Sequence, residues 1–125
     1  MLTTVDLINW IRLLVPYAYY GNEFRTDHPD AAGIVRLTGG VAPDQWSNKV
    51  QPAFQVLVRG APKGDGAAES VAWSLLSKLH NLTEFKVSGW RVVHCTADQS
   101  TPFYLGQDEN GRPIYSVNFD LIMQS

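Results

Sequence analysis

Between residues 3 and 15 the apolar positions Leu7, Trp10, Ile11 and Leu14 return at helical spacing, with Val5 and Ile8 widening the stripe. This predicts a helix capped by Thr3 or Thr4. Asp6 falls in its first turn, where the helix dipole favours a negative charge. Pro16 ends it. Residues 17–30 carry no period and predict an irregular connection or a short helical turn. The glycine-bounded run 31–40 reads as a strand, and residues 41–52, polar with two prolines, as a long loop.

A strict alternation follows. Phe54, Val56 and Val58 alternate with Gln55, Leu57 and Arg59, which predicts a strand over 53–60. Over 66–82 the period returns to that of a helix, with Ala68, Val71, Ala72, Leu75, Leu76 and Leu79 on one stripe and Trp73 off-centre. Residues 85–97 read as one strand, bulged at Gly89. The chain then closes on a hairpin. Runs 102–107 and 113–123 flank a polar turn in which Asn110-Gly111 is a type I′ signal. In the last run Tyr115, Val117, Phe119, Leu121 and Met123 share one face. Ser116, Asn118 and Asp120 take the other, broken only by Ile122.

Helix, strand, strand, helix, strand, hairpin is an α+β order. It predicts a mostly antiparallel sheet of four to five strands with two helices packed on one face, in one domain over residues 1–125.

Composition removes several functions. The formal charge is −2, which lacks the basic footprint of a protein that grips phosphates, so no direct nucleic-acid recognition is expected. Cys95 is the only cysteine, so neither an intrachain disulfide nor a cysteine-based metal cluster forms, and an intracellular folding environment is expected. No apolar run nears the ~20 residues that span a bilayer, so no membrane partner is expected.

Little in the chain looks like chemistry. His28, His80 and His94 stand far apart without a metal-ligand spacing. His94 and Cys95 are adjacent on a strand and therefore point to opposite faces, which prevents a direct nucleophile–base pair. The glycine-rich stretch GAPKGDGAAES opens a helix but lacks the phosphate-loop pattern and reads as a capped loop. Asp108 and Glu109 read as turn residues. Trp46, in the polar loop, is either a protein contact or folded back on its own core.

Three stretches together resemble a known family. AFQVLVRG is followed by a small-residue loop and a helix ending in LLSKLHNL, and the chain closes with PFYLGQDENGRPIYSVNF. This resembles the tail-terminator kind of small minor capsid or tail-completion proteins of long-tailed bacteriophages, over residues 53–119. The resemblance implies a virion subunit that assembles with itself as a ring, a hexamer, at the head-proximal end of the tail. It implies the tail tube protein and the head-tail connector protein as partners, synthesis in the host bacterial cytoplasm, and neither catalysis nor a cofactor. A ring repeats one heterologous contact, so each subunit needs two different complementary patches. The candidates are Arg59, Arg91 and Arg112, to be paired across the joint with Asp98, Asp108 or Asp120, and Trp46 as an apolar contact. For each charge the alternative is a solvated surface residue.

Other readings predict different things. A head-closure adaptor in the same joint would stay with heads rather than tails. A small enzyme or ligand-binding domain would gather His94, Asp98 and Tyr104 in a pocket. A nucleic-acid accessory domain would need a basic stripe.

Overall fold

The computed structural model describes residues 2–43, 46 and 48–124. Its elements are α1 (Thr4–Leu14), β1 (Tyr19–Gly21), β2 (Ala32–Leu37), β3 (Lys49–Val50), β4 (Ala53–Arg59), α2 (Asp65–Leu79), β5 (Leu82–Val87), β6 (Trp90–Ala97), β7 (Phe103–Gln107) and β8 (Pro113–Gln124). The fold is α+β with both helices against one face of a sheet. That sheet has eight described strands, not four to five. Three of the additional strands have clear origins. β1 and β3 span three and two residues, too short to show a period. The run read as one strand over 85–97 is two, β5 and β6, turning at Ser88-Gly89.

That turn carries a correction. Gly89 is not a bulge within a strand. Ser88 and Gly89 have φ of 48° and 83°, and Val87 pairs with Trp90 across them, the geometry of a two-residue type I′ hairpin. The type I′ turn expected at Asn110-Gly111 is absent. There only Gly111 has positive φ, at 73°. Gly111 N–H donates to the Asp108 carbonyl at 3.0 Å, and Asp108 N–H donates to the Arg112 carbonyl at 3.0 Å. Asp108 Oδ1 accepts from the N–H groups of Asn110 and Arg112. The aspartate side chain orders this longer loop, an Asx role that shifts the left-handed residue to the glycine alone.

The strand order is β1-β2-β4-β8-β6-β5, with β3 and β7 also pairing β8. Among the described strands only β1–β2 is parallel. β8 is the spine. Along one side it pairs β4 and then β3, and along the other β7 and then β6. The register places Val35, Val56 and Val117 on one row, and Phe54 and Phe119 on another, all facing the helices. The core forms there, with Leu7, Ile8 and Ile11 of α1 and Ala68, Ala72, Leu75, Leu76 and Leu79 of α2. Phe54 and Phe119 stack at 5.1 Å, and Trp10 stacks on Phe85 at 4.7 Å. Each fully buried large side chain contributes about 1.5–3 kcal/mol.

The ends of α1 follow their sequence signals, whereas α2 starts after Gly64 without the side-chain cap expected there and ends at Leu79, short of residue 82. Thr3 Oγ1 accepts the Asp6 N–H, and the Asp6 carboxylate accepts the Thr3 N–H, a reciprocal capping box. Those two hydrogen bonds, the backbone one first, hold the Asp6 carboxyl below its usual range. Val15 is extended ahead of Pro16, as the proline ring requires. No described helix is long and apolar enough to cross a membrane.

Of the loop expected over 41–52, residues 44, 45 and 47 lie outside the described residues. The rest is less irregular than expected, because Val41 bridges Gln51 and β3 adds to the end of β8.

Candidate functional site

The charges expected at a joint are placed differently from one another. Arg59 is inside the subunit. It shares with Leu57 the sheet face away from the helices, where Phe24, Pro29 and Asp30 lie against it. It is 3% exposed. Its Nε donates to the Asp30 carbonyl at 2.9 Å and its Nη2 to the Pro29 carbonyl at 3.0 Å, while the guanidinium lies 4.1 Å from the Phe24 ring. Arg59 therefore clamps its own loop and offers no free fork to a neighbour. The hydrophobic pattern marked its strand but not this loop, whose residues have no period.

Arg112 binds two carboxylates of its own chain, Asp108 at 2.7 Å and Asp30 at 3.0 Å. Asp108 is thereby committed within the hairpin. Arg91 is exposed and forks onto Glu84, with a third contact to Gln124 Oε1 at 2.7 Å. Sequence reasoning missed Asp30 because it lies 82 residues from Arg112, and Glu84 because the Ser88-Gly89 hairpin that brings it to Arg91 was read as one strand. Trp46 is 87% exposed.

Asp98 and Asp120 meet where β6 parts from β8. Their shared hydrogen bond, then partial burial, then the Asp120 charge push the Asp98 carboxyl up to about 6. Asp98 lines a shallow groove of about 400 Å³ with Trp73, Leu76, Ser77, His80 and Gln99. His80 fixes one wall, since its Nδ1 accepts the Ala97 N–H at 3.0 Å.

The seam between β6 and β7 is closed by Gln99, which sequence reasoning also missed. Its Oε1 accepts the Asn118 N–H at 2.9 Å and its Nε2 donates to the Ser116 carbonyl at 2.8 Å. The segment that leaves the sheet here therefore stays attached to β8. Beyond it, β7 runs along the rim of the sheet with Phe103, Tyr104 and Leu105 at 62%, 46% and 52% exposure.

His94, Asp98 and Tyr104 do not gather. His94 pairs with Ile122 on the outer face and contacts Asn81 Oδ1 at 3.1 Å. Tyr104 pairs with Tyr115 on the helix face, ring centroids 5.1 Å apart. Neither lines the groove that holds Asp98. Cys95 is buried in the core, on the opposite face from His94, and burial pushes its thiol up to about 12. Among the described residues, no group of three or more histidine, cysteine or acidic side chains is placed to hold a metal ion.

What stands out on this α+β subunit is therefore strand edges and surface patches rather than a reactive cleft. The family described as bacteriophage tail terminator protein matches residues 7–125, and the chain belongs to that family, a structural component of phage virions. Among solved structures, a chain from "Virion of native gene transfer agent (GTA) particle" superposes with a TM-score of 0.63 at 15% identity, covering 92% of this chain and 84% of that one. A second solved chain superposes with a TM-score of 0.53 at 18% identity, covering 94% and 88%. At these identities the two neighbours speak for the fold. No curated protein matches the sequence significantly.

Proposed function

We propose that the chain acts as one tail-terminator domain over residues 1–125. Copies assemble as a ring, a hexamer, that caps the tail tube at the head-proximal end of the tail and presents a surface to the head-tail connector. The protein is made in the host cytoplasm, carries no cofactor and catalyses nothing. The observation that carries this reading is the family match over residues 7–125. The dispersal of His94, Asp98 and Tyr104 supports a scaffold role over an enzymatic one.

A heterologous ring needs two unlike patches. The two sides of β8 differ in the way this requires. One carries β7, the groove and the Asp98–Asp120 pair, and the other leads through β4 and β3 to the segment with Trp46. Asp98, Asp120, Arg91 and Trp46 are the contacts proposed for the joint. Arg59 and Arg112, with Asp108, shape the loops that stand behind it.

Electron microscopy of tails assembled with and without the protein tests this. Its loss gives tubes of uncontrolled length or tails that fail to join heads. Tails of normal length that join heads without it overturn the reading.

A further inference from the structure

Among the described residues β7 pairs only with β8, so one row of its backbone N–H and C=O groups has no strand beside it. Natural sheets blunt such edges with charges, bulges or short length. The other edges here are blunted in those ways. β1 has three residues. β5 carries Glu84 in the left-handed region at φ 53°, tied to Arg91, and also Lys86. β7 has five residues and a register shift between Tyr104 and Gly106, but it reads FYLGQ, without a charge, and its three large apolar side chains are exposed. The groove lined by residues 97–100, which lead into β7, adds Trp73, 42% exposed.

The surroundings of this edge are acidic. Residues 98–111 contain Asp98 and Glu109, besides Asp108, which Arg112 holds, and neither lysine nor arginine. Asp98 is joined by Asp120. Asp65 and Glu69 of α2 stand close enough to Tyr115, which Tyr104 contacts, to add to the upward push that burial gives its phenol. Of the nearby arginines, Arg112 is paired with Asp108 and Asp30, and Arg59 is buried with its donors on the Pro29 and Asp30 carbonyls. Gln99 holds the entry to β7 in place before anything docks, which lowers the ordering cost of binding there.

We propose that the outer edge of β7, with the groove beside it, accepts an extended apolar segment of a partner protein that carries lysine or arginine at its ends. Backbone pairing supplies attachment, the exposed aromatics and Leu105 supply apolar contact, and the acidic rim selects the flanking charges. The inference does not rest on the ring.

The probe is a short synthetic peptide of alternating valine and threonine with lysine at both ends, set against a twin ended in glutamate. Titration of the full chain, with amide hydrogen exchange as the site readout, gives binding of the lysine peptide and slowed exchange in β7. The glutamate twin binds at least tenfold more weakly. Leu105→Lys, at an exposed position, abolishes binding, and Thr83→Lys on β5 leaves it unchanged. Asp98→Asn and Glu69→Gln each weaken it roughly threefold. Equal binding of the two peptides, protection at β5 instead of β7, or undiminished binding by Leu105→Lys overturns the proposal. Sedimentation of the same samples keeps the two readings apart. A chain that sediments as a monomer and takes no peptide refutes the strand site alone, since a ring neighbour would itself cover this edge. One that takes the peptide but never forms rings, alone or on tubes, refutes the ring alone.

Discussion

The side chain of Gln99 stands beside Asn118 as a peptide group would. Its oxygen accepts the Asn118 N–H at 2.9 Å, with the Asn118 Nδ2 at 3.0 Å, and its nitrogen donates to the carbonyl of Ser116 at 2.8 Å. Asn118 in turn accepts the Asp98 N–H at 2.9 Å. β8 thus keeps its ladder across a gap where no strand is present. Gln99→Ala removes the surrogate and leaves the Asn118 N–H and Ser116 carbonyl to water. The expected loss is about 1–2 kcal/mol by chemical denaturation, with faster exchange of the Asn118 amide. Gln99→Glu keeps the acceptor but loses the donor, and it too is destabilised.

Arg59 holds the loop over the outer face. Arg59→Ala leaves the Pro29 and Asp30 carbonyls without their donors and uncovers Phe24, so a loss of about 2–4 kcal/mol is expected. Limited proteolysis then cuts within residues 22–31 before it cuts the sheet. Arg59→Lys restores only part of the loss, because a single ammonium cannot serve both carbonyls and lie flat on the ring. Wild-type resistance at that loop in Arg59→Ala would contradict the clamp.

Asp98 makes stability depend on acidity in an unusual direction. Its carboxyl is raised in the fold to about 6, from an ordinary value near 3.8. In that window the native state holds a proton the unfolded chain has released, so stability falls as pH rises from about 4 to 6. Asp98→Asn removes this dependence and stabilises the protein at neutral pH relative to wild type. Asp6 works the other way. Its lowered carboxyl contributes stability above its ordinary value, and that contribution fades as pH falls further. Thermal melts of wild type, Asp98→Asn and Asp6→Asn across pH 3.5–7 separate the two.

Cys95 is buried with its thiol pushed up to about 12, so almost no thiolate exists near neutral pH. A thiol reagent labels it slowly in native buffer and at once in denaturant. Cys95→Ser places a hydroxyl against Leu121 in the core and costs about 1–3 kcal/mol. Fast labelling of the native protein would show the core open at that strand.

The sequence made the strongly periodic elements legible. α1 and α2, the alternation of β4 and the two-faced pattern of β8 are where the apolar spacing put them, because each buries one face against a common core. β1 and β3 carry too few residues to express a period. The Ser88-Gly89 turn was hidden because its flanks are both apolar, and the better-known Asn-Gly signal drew attention to a loop that Asp108 organises instead. Charge pairing was least readable. Arg59 and Arg112 looked available for a joint, but both are satisfied by a loop that reaches them from 29 and 82 residues away in the chain. Proximity of that kind follows from tertiary folding and leaves no mark in local spacing.

Because β8 shares its length with four other strands, two on each side, a pull along its axis loads all those ladders together instead of peeling them one by one. Such a geometry yields abruptly and at high force. A subunit built this way transmits tension as a rigid link, so a structure strained end to end would part between its components before any one of them unravels.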